Sequence, residues 1–188
     1  MKNRSERTKE RAAGEILHYG RRILTDRDFR RAMEQTHHKV TSVGRHSLSV
    51  SMTSLKMCYA LEKVHIHTNR QAVVVGALCH DLGILGRTGK FRNNRECCRQ
   101  HPLDSVEAAR RICPDLDEKT EQIISRHMFP LTLKPPVNRE GVIVTIADKY
   151  CSVKDRLVGP LLGSGQEKAV SDKIPALKKA DILRAGQK

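Results

Sequence analysis

The run VVVGALCHDLGILG, Val73 to Gly86, decides how this chain folds. Val73, Val74, Val75, Ala77 and Leu78 leave no polar side to a helix built on them, so the segment reads as a helix buried all round. Thr68-Asn69 offers an N-cap ahead of it, and Gly83 and Gly86 are read as its stop. Val73, Ala77 and His80 share one stripe, while Val74 and Leu78 lead to Asp81. A central helix that ends by aiming an imidazole and a carboxylate inward is a costly object. Unpaired, such groups lose several kcal/mol on burial.

The same pattern recurs along the chain. His46 lies one turn before Val50, on the stripe Val50, Met57, Leu61 and Val64 of a helix expected from about Thr41 to Val64. His127 falls in line with Leu116 and Ile123 behind a cap at Asp117. Asp148 follows Val142, Ile143, Val144 and Ile146 on a helix from about Asn138. His101-Pro102 reads as the mouth of a helix carrying Val106, Ala109 and Ile112 and ended by Pro114, because proline suits a first helical position. Between Gly86 and Gln100 a basic loop of Gly, Arg and Asn is expected. Pro130, Pro135 and Pro136 mark a turn. Upstream, the first 24 residues read as a mostly polar helix, and Thr25-Asp26 opens a second through Phe29 and Met33 towards His37. There is no sustained period-two alternation and no repeat. The expectation is an all-α, single-domain helical bundle, with N-terminal helices over 1–39, a metal-binding core over 40–157 and a basic tail with helical potential over 158–188.

The groups at His46, His80-Asp81, His101, His127 and Asp148 are separated by 20 to 34 residues. Four imidazoles and two carboxylates converging on one interior suit a pair of transition-metal ions, which remove the burial penalty by taking both donor types deprotonated. The natural partition puts His46, His80, Asp81 and Asp148 on one ion. Asp81, His101 and His127 hold the second, and Asp81 bridges. Mixed nitrogen and oxygen donors favour Fe or Mn, and Zn, Co or Mg also fall within range.

Composition bounds the rest. The chain has 188 residues, 35 Lys and Arg against 21 Asp and Glu, and a formal charge of +14. Arg87, Lys90, Arg92, Arg95 and Arg99 stand against Glu96 alone between two ligand groups. Such a field draws anionic partners. Three Phe, three Tyr and no Trp argue against a dedicated single-strand nucleic-acid binder, although the basic surface leaves some nucleic-acid contact open. No apolar run has membrane-spanning length, no signal peptide is visible, and the six cysteines form no CxxC pair. Cytoplasm with reduced thiols is the expected setting. Cys79 is read as packing and Cys97-Cys98 as free thiols. His37-His38 and His65-x-His67 are read as solvated or capping residues.

His46, then His80-Asp81 within HDLG, then Asp148 resembles the signature of the HD superfamily of metal-dependent phosphohydrolases. The added His101 and His127 resemble its binuclear branch, and the likeness extends to bacterial HD-type diadenosine tetraphosphate hydrolases. It covers roughly residues 40 to 157. The resemblance implies an all-α bundle, two divalent metal ions and a phosphohydrolase cleaving a nucleotide or other small phosphate ester with a metal-bound hydroxide. Asp81 would bridge the metals and orient the hydroxide. Many members carry a Lys three residues after the Asp; here Ile84 stands there, and Arg87 or Lys90 is expected to substitute. Arg45, Arg87, Lys90 and Lys149 are the candidate substrate-binding residues. Two alternatives accompany this reading: a mixed-valent di-iron oxygenase with the same ligand order, and a non-catalytic basic binding protein.

Overall fold

The computed structural model describes residues 3–37 and 41–162. Within them run α1 (Arg4–Thr25), α2 (Arg27–Glu34), α3 (Val43–Glu62), α4 (Arg70–Cys79), a 3-10 turn (Leu82–Ile84), a kinked single turn α5 (Arg87–Lys90), α6 (Asn94–Ile112), α7 (Glu118–Arg126) and α8 (Arg139–Leu162). The chain is all-α, as the periodicity requires. Two short strands, β1 (Thr36–His37) and β2 (Thr41–Ser42), pair antiparallel between α2 and α3. They cut α2 off at Glu34, short of the extension expected towards His37. His38 and the tail after Leu162 lie outside the described residues.

Short polar side chains open the helices. Asn3, Asp26, Ser42, Asn69, Asn93 and Asp117 each accept a hydrogen bond from a first-turn N–H, satisfying donors that the helix leaves orphaned. Every residue of α4 from Ala72 to Cys79 is buried, and the helix packs against α1, α3, α7 and α8. It divides the core in two. Val74 and Leu78 join a cluster with Ile16, Ile23, Phe29 and Leu55. Val73 and Ala77 join another with Val50, Ile123, Val144 and Ala147. Ala12, Ile16, Ile23 and Leu24 of α1 belong to the first cluster, so the N-terminal helix shares the core of the bundle.

The structure corrects the reading of residues 87–102. Helix α6 begins at Asn94, and His101 and Pro102 lie inside it. Asn93 accepts from the Glu96 N–H at 2.9 Å, and Glu96 accepts from the Arg92 N–H at 2.8 Å. This Asn-x-x-Glu pattern is a helix-start signature that outranks Pro102. The proline is tolerated at the loss of one intrahelical bond, to the Cys98 carbonyl. At the other end, α8 continues through Gly159 and Pro160 to Leu162, further than that pair suggests.

Gly83 was expected to stop a helix. Its φ is ordinary; what demands glycine is the approach of α6. A Cβ there would sit 2.2 Å from the His101 carbonyl oxygen and 2.6 Å from the Ser105 nitrogen. The Gly83 N–H donates to Ser105 Oγ at 2.8 Å, and the Lys90 ammonium donates to the Gly83 carbonyl at 2.8 Å while pairing with Asp104. Gly86 is different: at φ 71 it occupies the left-handed region, where glycine carries little penalty.

Candidate metal centre

Three helix ends and two helix interiors deliver the six side chains. His46 comes from the first turn of α3, and His80 follows the last residue of α4. His101 lies within α6, His127 follows α7, and Asp148 lies within α8. Asp81 leaves the helical path at φ −109, ψ 8. That departure lets two sequence neighbours, which on a helix would point about 100° apart, face one interior. All six are at most 5% exposed.

Their hydrogen bonds settle which nitrogens face inward. His80 Nδ1 is 2.8 Å from the Ala77 carbonyl, His101 Nδ1 2.7 Å from that of Cys97, and His127 Nδ1 2.7 Å from that of Ile124. A carbonyl only accepts, so each Nδ1 carries the proton and each Nε2 presents its lone pair. His46 Nδ1 lies 3.2 Å from Asp155 Oδ2, again with Nε2 inward.

The inward atoms form two overlapping groups. Among the described residues, His46, His80 and Asp148 offer donor atoms within 4.8 Å of one another, and so do His80, Asp81 and His127. Asp81 spans the two halves, with Oδ2 3.4 Å from His80 Nε2 and Oδ1 3.3 Å from His101 Nε2 and 3.5 Å from His127 Nε2. Asp148 Oδ1 is 2.9 Å from His46 Nε2 and 3.7 Å from His80 Nε2.

Two details test whether such residues suit a cation. His80 Nε2 is fully buried and has no hydrogen-bond partner. His101 Nε2 and His127 Nε2 face each other at 3.1 Å, although both rings spend their Nδ1 protons on carbonyls. Two bare lone pairs cannot sit so close; a proton or a metal ion must lie among them. The donor set therefore fits metal.

Without metal, protons do this work. Burial pushes the His80 imidazole down, but the Asp81 and Asp148 carboxylates outweigh it and raise its pKa to about 10. Burial likewise opposes His101, and its bond to Asp81 leads in lifting it to about 9. Burial wins at His127, with the neighbouring cationic imidazoles, and holds it down to about 4. Asp81 and Asp148 stay well below the carboxylate range; burial pushes them up, but the surrounding imidazoles prevail. A metal takes neutral imidazole. Burial also opposes His46, but its bonds to Asp148 and Asp155 raise its pKa, so loading at pH 7 is expected to release about two to three protons, from His80, His101 and His46, and apparent affinity should climb with pH up to about 10. Calorimetric titration in two buffers of different ionisation enthalpy measures the count; zero released protons would contradict the assignment.

The other candidates are scattered. Lys149 Nζ lies 2.8 Å from Asp148 Oδ2, partly exposed beside the cage. Arg45 is half-buried next to His46, and Arg87 is exposed and donates to Asn94 Oδ1. Lys90 is engaged by Gly83 and Asp104, as a clamp on the turn after Asp81. Ile84 is buried in the first core cluster. His65 and His67 are exposed, and Cys79 is fully buried. Asp155, which orients His46, escaped the sequence reading; its signal was a spacing of two helical turns from Asp148. Ser152, 3.3 Å from Asp148 Oδ1, was likewise missed. An Asp155→Asn protein should bind metal about 10- to 100-fold more weakly, as outer-shell losses do, with its fold intact. Equilibrium metal titration against a competing chelator gives the number.

The HD domain profile matches residues 43–152, and the chain belongs to that family. The family is one of metal-dependent phosphohydrolases. No curated protein and no solved structure matches the chain.

Proposed function

We propose that the protein hydrolyses a small anionic phosphate ester, a nucleotide in the first instance, using two divalent transition-metal ions held by His46, His80, Asp81, His101, His127 and Asp148. The observation that carries this reading is the set of four imidazole Nε2 atoms turned inward around two buried carboxylates. Iron and manganese suit that donor set best. Ions bound there would supply Lewis acidity towards a phosphoryl oxygen and bring a water molecule's pKa near neutrality.

The chain's own residues do the remainder. Asp81 presents one oxygen to each half of the cage and so ties the two halves to a common geometry. Asp155 and the three backbone carbonyls keep the rings from turning. The Lys149 ammonium, 2.8 Å from Asp148 and partly exposed, stands where it can pair with a phosphate oxygen. Arg87 and the basic stretch after it add a field that attracts polyanions. Phe129, two residues after His127 and 37% exposed, offers a face for a nucleobase.

Purified protein loaded with manganese or iron and incubated with a panel of nucleoside phosphates and dinucleoside polyphosphates tests the reading. Release of inorganic phosphate, or of shorter nucleotides from the dinucleoside polyphosphates, that chelation abolishes supports it. Absence of release across the panel from fully loaded protein overturns it, and substrate-dependent oxygen uptake by the iron form would replace it with an oxygenase.

A further inference from the structure

The turn that carries the chain out of the cage is too short to satisfy its own backbone. It closes two main-chain bonds, from the Ile84 N–H to the Asp81 carbonyl at 3.1 Å and from the Leu85 N–H to that of Leu82 at 3.3 Å. The Ile84 carbonyl and the Gly86 N–H are left over, and one side chain takes both. Gln35 Nε2 donates to the Ile84 carbonyl at 3.1 Å, and Gln35 Oε1 accepts from the Gly86 N–H at 2.8 Å. Only this orientation of the amide offers a donor to the carbonyl and an acceptor to the N–H. Gln35 is itself fixed through its backbone. Its N–H donates to the Arg31 carbonyl in α2, and its carbonyl accepts from the Val43 N–H at the start of α3, each at 3.0 Å. One residue therefore joins the helix that delivers His46 to the exit of the turn that follows Asp81.

What lies beyond gives that link its consequence. Residues 86–90 are all exposed, Gly86 and Gly89 have φ of 71 and 86, and a Cβ at either would meet nothing within 4 Å. The segment stands clear of the body. The bond from Gly86 to Gln35 is made at the residue directly before Arg87, whose guanidinium donates to Asn94 Oδ1. Asn94, Cys98 and His101 share one face of α6, exposed at Asn94, half-buried at Cys98 and buried at His101, so the file leads from solvent into the cage. Burial pushes the Cys98 thiol up, and Arg87 and Lys149 both pull the other way. Both cations therefore stand within electrostatic reach of that side chain, at the mouth. An arm that is already ordered binds more tightly than one the ligand must order, because the entropy is lost beforehand.

We propose that Gln35 is a positioning residue: its side-chain amide fixes the turn at Ile84 and Gly86 and so holds Arg87 at the mouth of the cage to bind a substrate phosphate. This role rests on the phosphohydrolase reading above, since a substrate phosphate is what Arg87 would meet.

Binding is measured by calorimetry on the manganese-loaded full chain, with a nucleoside diphosphate whose bridging oxygen is replaced by methylene. Arg87→Ala should weaken it about tenfold, as loss of a charged hydrogen bond does. Gln35→Met keeps the length of the side chain and gives up both bonds; it should weaken binding to a similar extent. The double variant should be no weaker than Arg87→Ala alone, because Gln35 acts through that guanidinium. All three should keep the parent's metal content. In metal-free protein, hydrogen exchange at residues 86–91 should quicken in Gln35→Met while α4 and α7 keep the parent's rates. Should Gln35→Met fail to fold, the cycle is repeated with Gln35→Glu, which keeps the acceptor for Gly86 and loses the donor to Ile84; the same non-additivity is expected. Losses that multiply to about a hundredfold in the double variant overturn the proposal. So do unchanged binding or lost metal in Gln35→Met, and a parent to which the diphosphate does not bind. A parent that binds the diphosphate yet hydrolyses no phosphate ester overturns the hydrolase reading alone.

Discussion

An Asp81→Ala protein is expected to lose hydrolysis by on the order of a thousandfold or more, and to bind less than one metal equivalent under conditions where the parent binds two. Among the described residues, Asp81 is the only carboxylate whose oxygens reach both halves of the cage, so its loss strips both halves at once. Removal of Asp148 would leave His101, His127 and Asp81 together. A second signature accompanies the first. In the metal-free parent, His80 and His101 hold protons against burial because Asp81 faces them. Breaking a buried charge pair by deleting one partner costs about 3 kcal/mol or more.

The sign of the pH dependence follows. Both imidazoles have folded pKa values raised above the ordinary 6.5, so the stability they contribute is complete below about 6.5 and disappears as pH rises through about 9 to 10. The gap in stability between parent and variant should therefore be widest at and just below pH 6.5, narrow as pH rises above it, and close above pH 10. Denaturant melts of chelator-treated protein across that range measure it, together with metal content and turnover. A variant that retained two metals, or full turnover, would remove Asp81 from the centre.

The second large effect is expected from a residue with no chemistry of its own. Gly83→Ala would place a methyl group 2.2 Å from the His101 carbonyl oxygen and 2.8 Å from the Asp104 Cβ. Both belong to α6, so no flexible side chain can swing aside. The turn carrying Asp81 and the helix carrying His101 must part by more than an ångström. The expected destabilisation is about 3 kcal/mol, read as a lower urea midpoint at unchanged slope. Metal affinity should fall with it, because the separated pieces are those that deliver Asp81 Oδ1 to His101. Gly86→Ala is a fitting control: its Cβ would meet nothing within 4 Å, and its cost is that of left-handed backbone alone. Equal effects of the two would show that backbone conformation, and not the approach of α6, governs the turn.

How far the sequence discloses this arrangement differs from element to element. The burial of α4 was legible because an apolar run with a capping asparagine and no polar face has one stable place in a small bundle. The convergence of His46, His80, His127 and Asp148 was legible for a related reason: each prolongs an apolar stripe, and stripes point at the core. His101 was legible as a site residue by kinship with the HD signature, and its position was not. The proline beside it obscured a helix start that Asn93 and Glu96 carry seven residues earlier. The small strands on either side of residues 38–40 were illegible because two-residue pairings have no period. Asp155 was hidden for a different reason. A carboxylate on a solvated turn looks like any other until the ring it holds is in view, 109 residues away in the chain. Tertiary proximity at that separation leaves no trace in local pattern.

Three of the four rings hang on main-chain oxygens of their own helices, three or four residues back. Side-chain substitution cannot adjust those anchors, since every residue type supplies the same oxygen. The bore of the cage is thus written into where α4 and α7 end and how α6 is phased. Accommodating a cation of another radius would take insertion or deletion of residues in those segments, so a lineage descending from this chain would switch substrates at the rim far more readily than it would switch metals at the centre.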